Sequence, residues 1–253
     1  MYLHYRIYGS NNYSDYRHVA IDEAQDFGEF NFYALKQLLP NSTFSIFGDL
    51  AQSIYQYRGI ENWEKVVATT FNNQCEIKNL NKSYRTTTEI MEEANNLTKH
   101  IGLNEAEPVI RHGLDVNYTY TCDNKIEVIL QLINSYLQKG YASIAVIAKD
   151  ENEATIINKE LNNMGICVAN ITNSDTKYDG GICTITSYLS KGLEFDGVII
   201  TDASESKYSS EKSIDMKLLY VAMTRALHEL NVLHSNELTK PLNKPNNKIL
   251  RKR

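Results

Sequence analysis

Length, composition and charge exclude several classes of protein. The chain has 253 residues, 42% of them apolar and 23% charged, which is typical of a folded globular protein and not of a disordered or fibrous one. No apolar run approaches the roughly 20 residues that span a membrane, so we predict a cytoplasmic protein without a membrane segment. The net charge of -5 means that any contact with nucleic acid must come from a local cleft.

The first part of the chain alternates between strand-like and helix-like patterns. Strands are predicted at residues 18–23, 43–49 and 75–80, and helices at 28–40 and 62–71. The first two strands, HVAIDE and TFSIFGD, each end in acidic residues.

A longer series of the same kind follows. Helices are predicted at residues 86–102, 124–140, 151–165 and 215–229, and strands at 143–149, 166–171, 181–187, 197–203 and 230–235. Residues 103–123 indicate loops and short strands. Strands that alternate with helices of this length are typical of α/β folds with parallel sheets and flanking helices. We predict a partial first domain at residues 1–75, a complete second domain at 76–240, and a basic, flexible tail at 241–253.

The stretch VAIDEAQDF places acidic residues where a predicted strand ends. In open parallel sheets, ligands bind outside the carboxyl ends of the strands. Asp22 is therefore placed to hold Mg²⁺ and Glu23 to orient or deprotonate a water. The alternative is that these acids complement the dipole of the following helix, and the stretch alone does not decide between the two interpretations.

A second stretch, FGDLAQSIYQYRG, repeats this layout. Gln52 follows the strand end and is placed to sense a terminal phosphate. Tyr55 and Tyr57 alternate with polar residues, so they offer ring faces for stacking unpaired bases. Packing of both tyrosines in the core is the alternative.

Two arginines stand beside threonines at the ends of predicted elements. Arg85 precedes a helix in NKSYRTTTEI, and Arg225 lies in LLYVAMTRALHEL. Solvent-exposed positions are the usual explanation for an isolated arginine. Convergence on a polyphosphate is the functional alternative, because the planar guanidinium stays charged and matches phosphate oxygens.

Taken in order, these stretches resemble motifs II to VI of superfamily-1 helicases of the UvrD/Rep type. The matching segments are DEAQD, GDLAQSIYQYRG, NKSYRTTTEI, ITSYLSKGLEFDGVII and LLYVAMTRALHEL, which together cover residues 19 to about 230. The segment SYLSKGLEFD is most similar to the HelD, or helicase IV-like, branch. The resemblance implies two RecA-like motor domains, the first partial and the second complete, with ATP bound between them.

The resemblance also implies roles for individual residues. Asp22 would hold Mg²⁺, Glu23 would activate the hydrolytic water, and Arg85 and Arg225 would act as arginine fingers. The nucleotide would further be contacted by Gln25, Gln52, Tyr84, Gly192 and Glu194. Single-stranded nucleic acid would be contacted by Tyr55, Tyr57, Arg58, Thr186 and Lys191.

Two departures from the family pattern limit these expectations. Tyr188 stands where UvrD-like enzymes commonly have a histidine, which fits the HelD-like branch and its partner, RNA polymerase. The chain contains no G-x-x-x-x-G-K-[ST] segment, so the loop that cradles the β- and γ-phosphates is missing from these residues. We expect a P-loop segment elsewhere in the same protein to complete the site.

The sequence therefore predicts the C-terminal portion of an ATP-dependent DNA helicase or translocase, with little or no ATP hydrolysis by this chain alone. The main alternative is a non-catalytic, helicase-like module that binds nucleotide or protein, such as a regulator associated with RNA polymerase. A metal-dependent nuclease using Asp22, Glu23 and Asp26 ranks lower, because it leaves Arg85, Arg225 and Lys191 unexplained.

Overall fold

The computed structural model describes residues 16–55, 59–60, 62–173 and 178–243. The chain divides between Leu80 and Asn81 into two compact units. All pairings between named strands are parallel, and helices alternate with the strands, so the predicted α/β class is confirmed. No helix among the described residues is long and apolar enough to cross a membrane.

The first unit is built on one β-α-β element. Strand β1 (His18–Ile21) pairs in parallel with β2 (Thr43–Ile46), and helix α1 (Glu29–Leu38) connects them. Helix α2 (Trp63–Phe71) begins at Asn62, whose side-chain oxygen accepts the Lys65 amide at 2.8 Å, as in a standard N-cap. The small core consists mainly of aliphatic and aromatic side chains, namely Ile21, Ala24, Phe32, Ile60, Val66 and Phe71.

The second unit contains a six-stranded parallel sheet in the order β5-β10-β9-β6-β8-β7. Its strands are β5 (Asn117–Tyr120), β6 (Ser143–Ala148), β7 (Ala169–Ile171), β8 (Gly181–Thr186), β9 (Phe195–Ile200) and β10 (Ala226–His234). The central strands carry almost continuous buried runs, such as SIAVIA in β6. That pattern is expected where helices cover both faces of a sheet. A separate pair, β3 (Lys82–Ser83) and β4 (Glu107–Pro108), lies outside this sheet.

The described residues of the second unit include four α-helices. They are α3 (Thr88–His100), α4 (Lys125–Gln138), α5 (Glu151–Asn163) and α6 (Ser213–Met223). Helix α4 contributes Ile129, Ile133 and Tyr136 to the main core. The buried Tyr136 hydroxyl donates to the Val198 carbonyl at 3.1 Å and accepts from Asn231 at 2.6 Å, so its polar atom is satisfied.

Two predicted elements are wrong. Residues 75–80 form no strand, and their exposed side chains bury nothing that would stabilise one. The predicted helix at 215–229 ends at Met223, and residues 226–229 already belong to β10. The hydroxyl of Thr224 bonds back to the Tyr220 carbonyl at 2.9 Å, and the following residues pair with β9. The packed chain continues through Leu242, which is fully buried.

Candidate functional site

The acids after β1 lie in a strained turn at the carboxyl end of the strand. Asp22 and Glu23 follow Ile21 directly and are exposed. The Asp22 carboxylate accepts the Glu23 amide at 2.8 Å. Glu23 has φ 50°, in the left-handed region that residues other than glycine rarely occupy. Strain of this kind concentrates at functional sites, and the sequence pattern contains no signal for it.

Gln25 connects the ends of the two strands in the first unit. Its side chain is fully buried and donates from Nε2 to Glu23 Oε2 at 2.5 Å. Its Oε1 accepts the backbone amide of Asp49, three residues after the end of β2, at 3.0 Å. An amide side chain can donate and accept at once, so one residue orients Glu23 and ties it to the neighbouring strand end.

Asp49 extends this chain of hydrogen bonds, although the sequence analysis assigned it no role. Its carboxylate accepts the Ala51 amide at 2.9 Å and the Gln52 side chain at 2.8 Å. Gln52 and Tyr55 are partly exposed, whereas the predicted contact residues Tyr57 and Arg58 lie outside the described residues. The predicted acids and glutamines therefore form one connected polar group.

Gly48 explains how the two strand ends approach so closely. A Cβ atom at this position would lie 2.6 Å from Gln25 Oε1 and 2.7 Å from the Trp63 ring. Only glycine fits between them. The glycine before Asp49 was the sequence signal for this close approach.

In the second unit, Arg85 pairs with Glu194. The distance from Arg85 Nε to Glu194 Oε1 is 2.6 Å, with side-chain exposures of 39% and 45%. Glu194 directly precedes β9, so the pair lies at the amino edge of the six-stranded sheet. Tyr84 beside it is 71% exposed. Arg85 and Glu194 are therefore in contact, and Tyr84, the chain neighbour of Arg85, is accessible.

Arg225 differs from Arg85 because it is only 1% exposed. It follows α6 and precedes β10. Its Nε donates to the Val221 carbonyl at 3.0 Å and its Nη1 to the Leu193 carbonyl at 3.2 Å. In this conformation the guanidinium holds the loop before β9 in place and does not face solvent.

The segment at residues 187–194 connects the two opposite sides of the sheet, which we call the carboxyl edge and the amino edge after the strand ends that lie there. Strands β8 and β9 both run parallel to β6, so this link returns from the carboxyl end of β8 to the amino end of β9. Thr186, the last residue of β8, is buried and its hydroxyl accepts the Leu189 amide at 3.2 Å. Lys191 is partly exposed, and Gly192 has φ +85° with open space around it. Thr186 and Glu194 therefore lie at different edges.

The carboxyl edge of the same sheet is filled by polar side chains. Asp202, after β9, accepts hydrogen bonds from Ser204 and Ser235. Burial by itself raises the pKa of Asp202, but these hydrogen bonds outweigh it and leave the pKa below its ordinary value. Lys125 and Thr201 both contact Glu153 at 3.0 Å nearby. The polar side chains at the carboxyl edge are therefore bonded to one another, whereas the residues predicted to contact the nucleotide lie at the amino edge.

An additional cluster at the amino edge was not predicted. Arg111 donates from Nη1 to the Arg85 carbonyl at 3.0 Å and contacts His228 Nδ1 from Nη2 at 2.8 Å. The cluster borders a cleft of about 450 Å³. Arg111 lies in the part predicted as loop, and His228 in the part wrongly predicted as helix, so no sequence signal brought them together.

Comparison with known families decides the relationship. A family described as the UvrD/REP helicase N-terminal domain matches residues 10–66, and one described as the UvrD-like helicase C-terminal domain matches residues 181–233. The two matches occur in their natural order. Both matched parts of the chain are therefore similar to domains of UvrD-like helicases.

Individual relatives agree with this assignment. The chain is 32% identical over 121 residues to the Probable DNA helicase II homolog of Mycoplasma capricolum subsp. capricolum. That alignment covers 43% of the chain but only 16% of the relative. A crystal structure of the C-terminal domain of a possible DNA helicase from Lactobacillus plantarum WCFS1 is similar with a TM-score of 0.51 and 27% identity. It covers 64% of the chain and 92% of that structure. The predicted UvrD-like relationship is confirmed, and the HelD-like branch stays a prediction.

Proposed function

We propose that this chain is part of an ATP-dependent DNA helicase or translocase that couples ATP hydrolysis to movement along single-stranded DNA. The observation that carries the proposal is the strained Glu23, held by the buried Gln25 beside Asp22 at the carboxyl end of β1. A general base must be held in a defined position, and this arrangement does so before any ligand arrives. The choice of DNA rests on the two similar proteins, both of which are described as DNA helicases.

The residues present fit a Mg²⁺ ion bound with a nucleotide. Among the described residues there is no group of three or more His, Cys, Asp or Glu side chains that would hold a metal ion by themselves. Mg²⁺ typically keeps several waters and uses one or two carboxylates together with substrate phosphates. The exposed Asp22 meets that requirement. When bound, the ion would neutralise charge on the phosphates.

Within the first unit, Glu23 would take the proton of the attacking water, and Gln25 would keep the carboxylate oriented. Gln52 would contact the terminal phosphate. Because its side chain donates to the Asp49 carboxylate, loss of the phosphate would also affect Asp49. Because Gln25 is buried, we assign it to orienting Glu23 rather than to touching the nucleotide directly.

In the second unit, Arg85 would contact the phosphates, and its ion pair with Glu194 would open or weaken as it does so. Tyr84 would lie beside the adenine, and Gly192 and Glu194 would lie near the ribose. An exposed ion pair is weak, so little free energy opposes its opening. Arg225 would act as a finger only after release from the carbonyls of Val221 and Leu193.

In each unit, single-stranded DNA would be contacted by residues that offer rings, hydroxyls or positive charge. These are Tyr55, Tyr57 and Arg58 in the first unit, and Thr186 and Lys191 in the second. Base stacking on an aromatic ring contributes roughly 1–3 kcal/mol per base and tolerates any sequence. Tyr188, 41% exposed, is available for the same contact.

The phosphate cradle would come from a P-loop segment that these 253 residues do not contain. We therefore expect this chain alone to hydrolyse ATP very weakly or not at all. Hydrolysis should appear when a P-loop segment of the same protein is added, and should rise with single-stranded DNA.

The test is ATP hydrolysis with and without single-stranded DNA, by the chain alone and with the P-loop segment present. Glu23→Gln should abolish the reconstituted activity. Glu29→Gln is the matched control, since Glu29 is an exposed acid of α1 that pairs with Lys65 at 2.6 Å. Robust turnover by the isolated chain, abolished by Glu23→Gln, would contradict the expected dependence on the P-loop.

The alternative is a non-catalytic module that binds nucleotide or a protein such as RNA polymerase. Two observations favour it, namely the lack of a P-loop in these residues and the burial of Arg225. Nucleotide binding without turnover under all of these conditions, together with co-purification of RNA polymerase, would establish this alternative.

A further inference from the structure

Arg111 forms hydrogen bonds with the main chain shortly before α3 and at the first residue of that helix. Its guanidinium donates to the Arg85 carbonyl at 3.0 Å, and its own carbonyl accepts the Thr88 amide at 2.9 Å. The next residues are held to the same helix, because Glu89 accepts from the Gly113 amide at 2.8 Å and contacts His112 at 2.9 Å. The backbone of Arg85 is therefore fixed by a neighbouring loop.

His228 provides the second contact for the Arg111 guanidinium. Because a guanidinium only donates, the Nδ1 atom 2.8 Å away must accept, which places the proton of a neutral ring on Nε2. The His228 ring stacks on Tyr141 at 5.9 Å, and its Nε2 lies 3.7 Å from Asp196 Oδ1. The ring orientation is thus set from both sides.

Asp196 anchors the far side of the cluster. Its Oδ2 accepts the amides of Ala142 and Ser143 at 2.8 and 2.9 Å and the Ser143 hydroxyl at 3.0 Å. Burial raises the pKa of Asp196, but these hydrogen bonds outweigh it and keep the pKa below its ordinary value. Asp196 also lies two residues after Glu194, the ion-pair partner of Arg85.

These groups follow one another as neighbours beside the cleft, which Arg111, His228 and Asp196 line. The series runs from Arg85 to Glu194, along the chain to Asp196, across to His228, and through Arg111 back to the Arg85 carbonyl. The Arg85–Glu194 pair alone is too exposed to fix the arginine. The neighbouring contacts therefore contribute the rigidity that the pair lacks.

We propose that Arg111 is a positioning residue for Arg85 and that His228 is the acceptor that orients Arg111. The proposal rests on the proposed function, in which Arg85 contacts the nucleotide. Arg111 acts through Arg85 and has no assigned contact with the nucleotide itself.

The test measures the Arg85 Nε–Hε resonance by NMR in the full chain, identified by its loss in Arg85→Lys. The wild type should give a shifted, slowly exchanging signal because of Glu194. Arg111→Gln and His228→Leu should remove the slow exchange. His228→Asn, which keeps an acceptor near the Nδ1 position, should restore it.

Leu114→Ala is the matched control, since Leu114 borders the same cleft with an exposed apolar side chain that takes no part in these contacts. It should leave the Arg85 resonance unchanged. Thermal unfolding of each variant separates a local change from loss of the fold, and Arg111→Lys provides a milder change where Arg111→Gln fails to fold. An Arg85 resonance that is unaffected in folded Arg111→Gln or Arg111→Lys would overturn the proposal.

Titration of the chain with Mg²⁺ and a slowly hydrolysed ATP analogue, in the presence of the added P-loop segment, then separates the two proposals. A resonance that responds to Arg111 substitution but not to nucleotide would keep the positioning role and contradict the nucleotide role of Arg85. A resonance that responds to nucleotide but not to Arg111 substitution would do the reverse.

Discussion

At the scale of single residues, polar side chains in this protein are held by more than one partner. Glu23 sits in a left-handed conformation that costs roughly 1–3 kcal/mol for a residue other than glycine. The buried Gln25 offsets part of that cost by bonding both to Glu23 and to the Asp49 amide. The position of Asp22 and Glu23 at the end of a strand was predictable, because an apolar run followed by acidic residues is a local sequence signal. The burial of Arg225 was unpredictable, since its partner Leu193 lies on another segment.

Glu205 allows a pH prediction at this scale. Its carboxylate accepts from the Ser210 amide and hydroxyl at 2.8 and 2.7 Å, the Lys240 amide at 3.0 Å and the Thr239 hydroxyl at 3.1 Å. Burial raises its pKa, but these bonds outweigh that effect and lower the pKa from 4.5 to about 2. A depressed folded-state pKa stabilises the fold above the unfolded value, and this contribution is lost as pH falls from 4.5 toward 2.

Glu205→Gln should therefore lower the free energy of unfolding at neutral pH by about 1–3 kcal/mol, the usual value of bonds to a charged group. It should also flatten the fall in stability below the ordinary glutamate pKa. Thermal unfolding at neutral pH and at a series of acidic pH values measures both effects. The exposed Glu211→Gln should leave the pH profile unchanged, and an equal change in both variants would contradict the role of Glu205.

At the scale of elements, some helices follow local sequence rules, whereas one strand is determined by tertiary pairing. Helices α2 and α5 follow local rules, since Asn62 and Asp150 cap them through their own side chains. Such caps are visible in the sequence. Strand β10 begins with residues that continue the apolar pattern of α6, and the sequence alone does not reveal that they pair with β9. Tertiary pairing therefore overrode the helical pattern.

Gly197, in the middle of β9, faces the Tyr136 ring. A Cβ atom there would lie 2.6 Å from two ring carbons. Gly197→Ala should thus lower the free energy of unfolding by about 1–3 kcal/mol through overpacking. Urea denaturation measures this, and the same substitution in a Tyr136→Leu background should cost clearly less. Equal costs in the two backgrounds would show that the ring is not the cause.

At the scale of the whole molecule, the two units differ greatly in their cores. The first has a two-stranded sheet and a small cluster of side chains, whereas the second has a six-stranded sheet covered by helices. A larger buried core stabilises a unit more. We therefore expect the first unit to unfold at lower urea concentration than the second.

Trp63, the only tryptophan of the chain, lies in the first unit and reports its unfolding by fluorescence. Far-ultraviolet circular dichroism reports both units. The fluorescence transition should precede the main dichroism transition, and a fragment of residues 81–243 should retain the later one. Coincident transitions, or an unfolded fragment, would show that the units are stable only together.

Two arginines from distant segments hold consecutive residues of one loop. Arg225 holds the Leu193 carbonyl, and Arg85 holds the Glu194 carboxylate. The loop they hold begins beside Thr186 at the opposite edge of the sheet. If Arg85 turns toward a phosphate, the loop loses its contact at Glu194 but keeps the buried one at Leu193, and the part near Glu194 gains freedom to move. Nucleotide binding at the amino ends of the strands would then increase the mobility of this loop, which starts near Thr186 at the carboxyl ends, without any movement of the strands themselves.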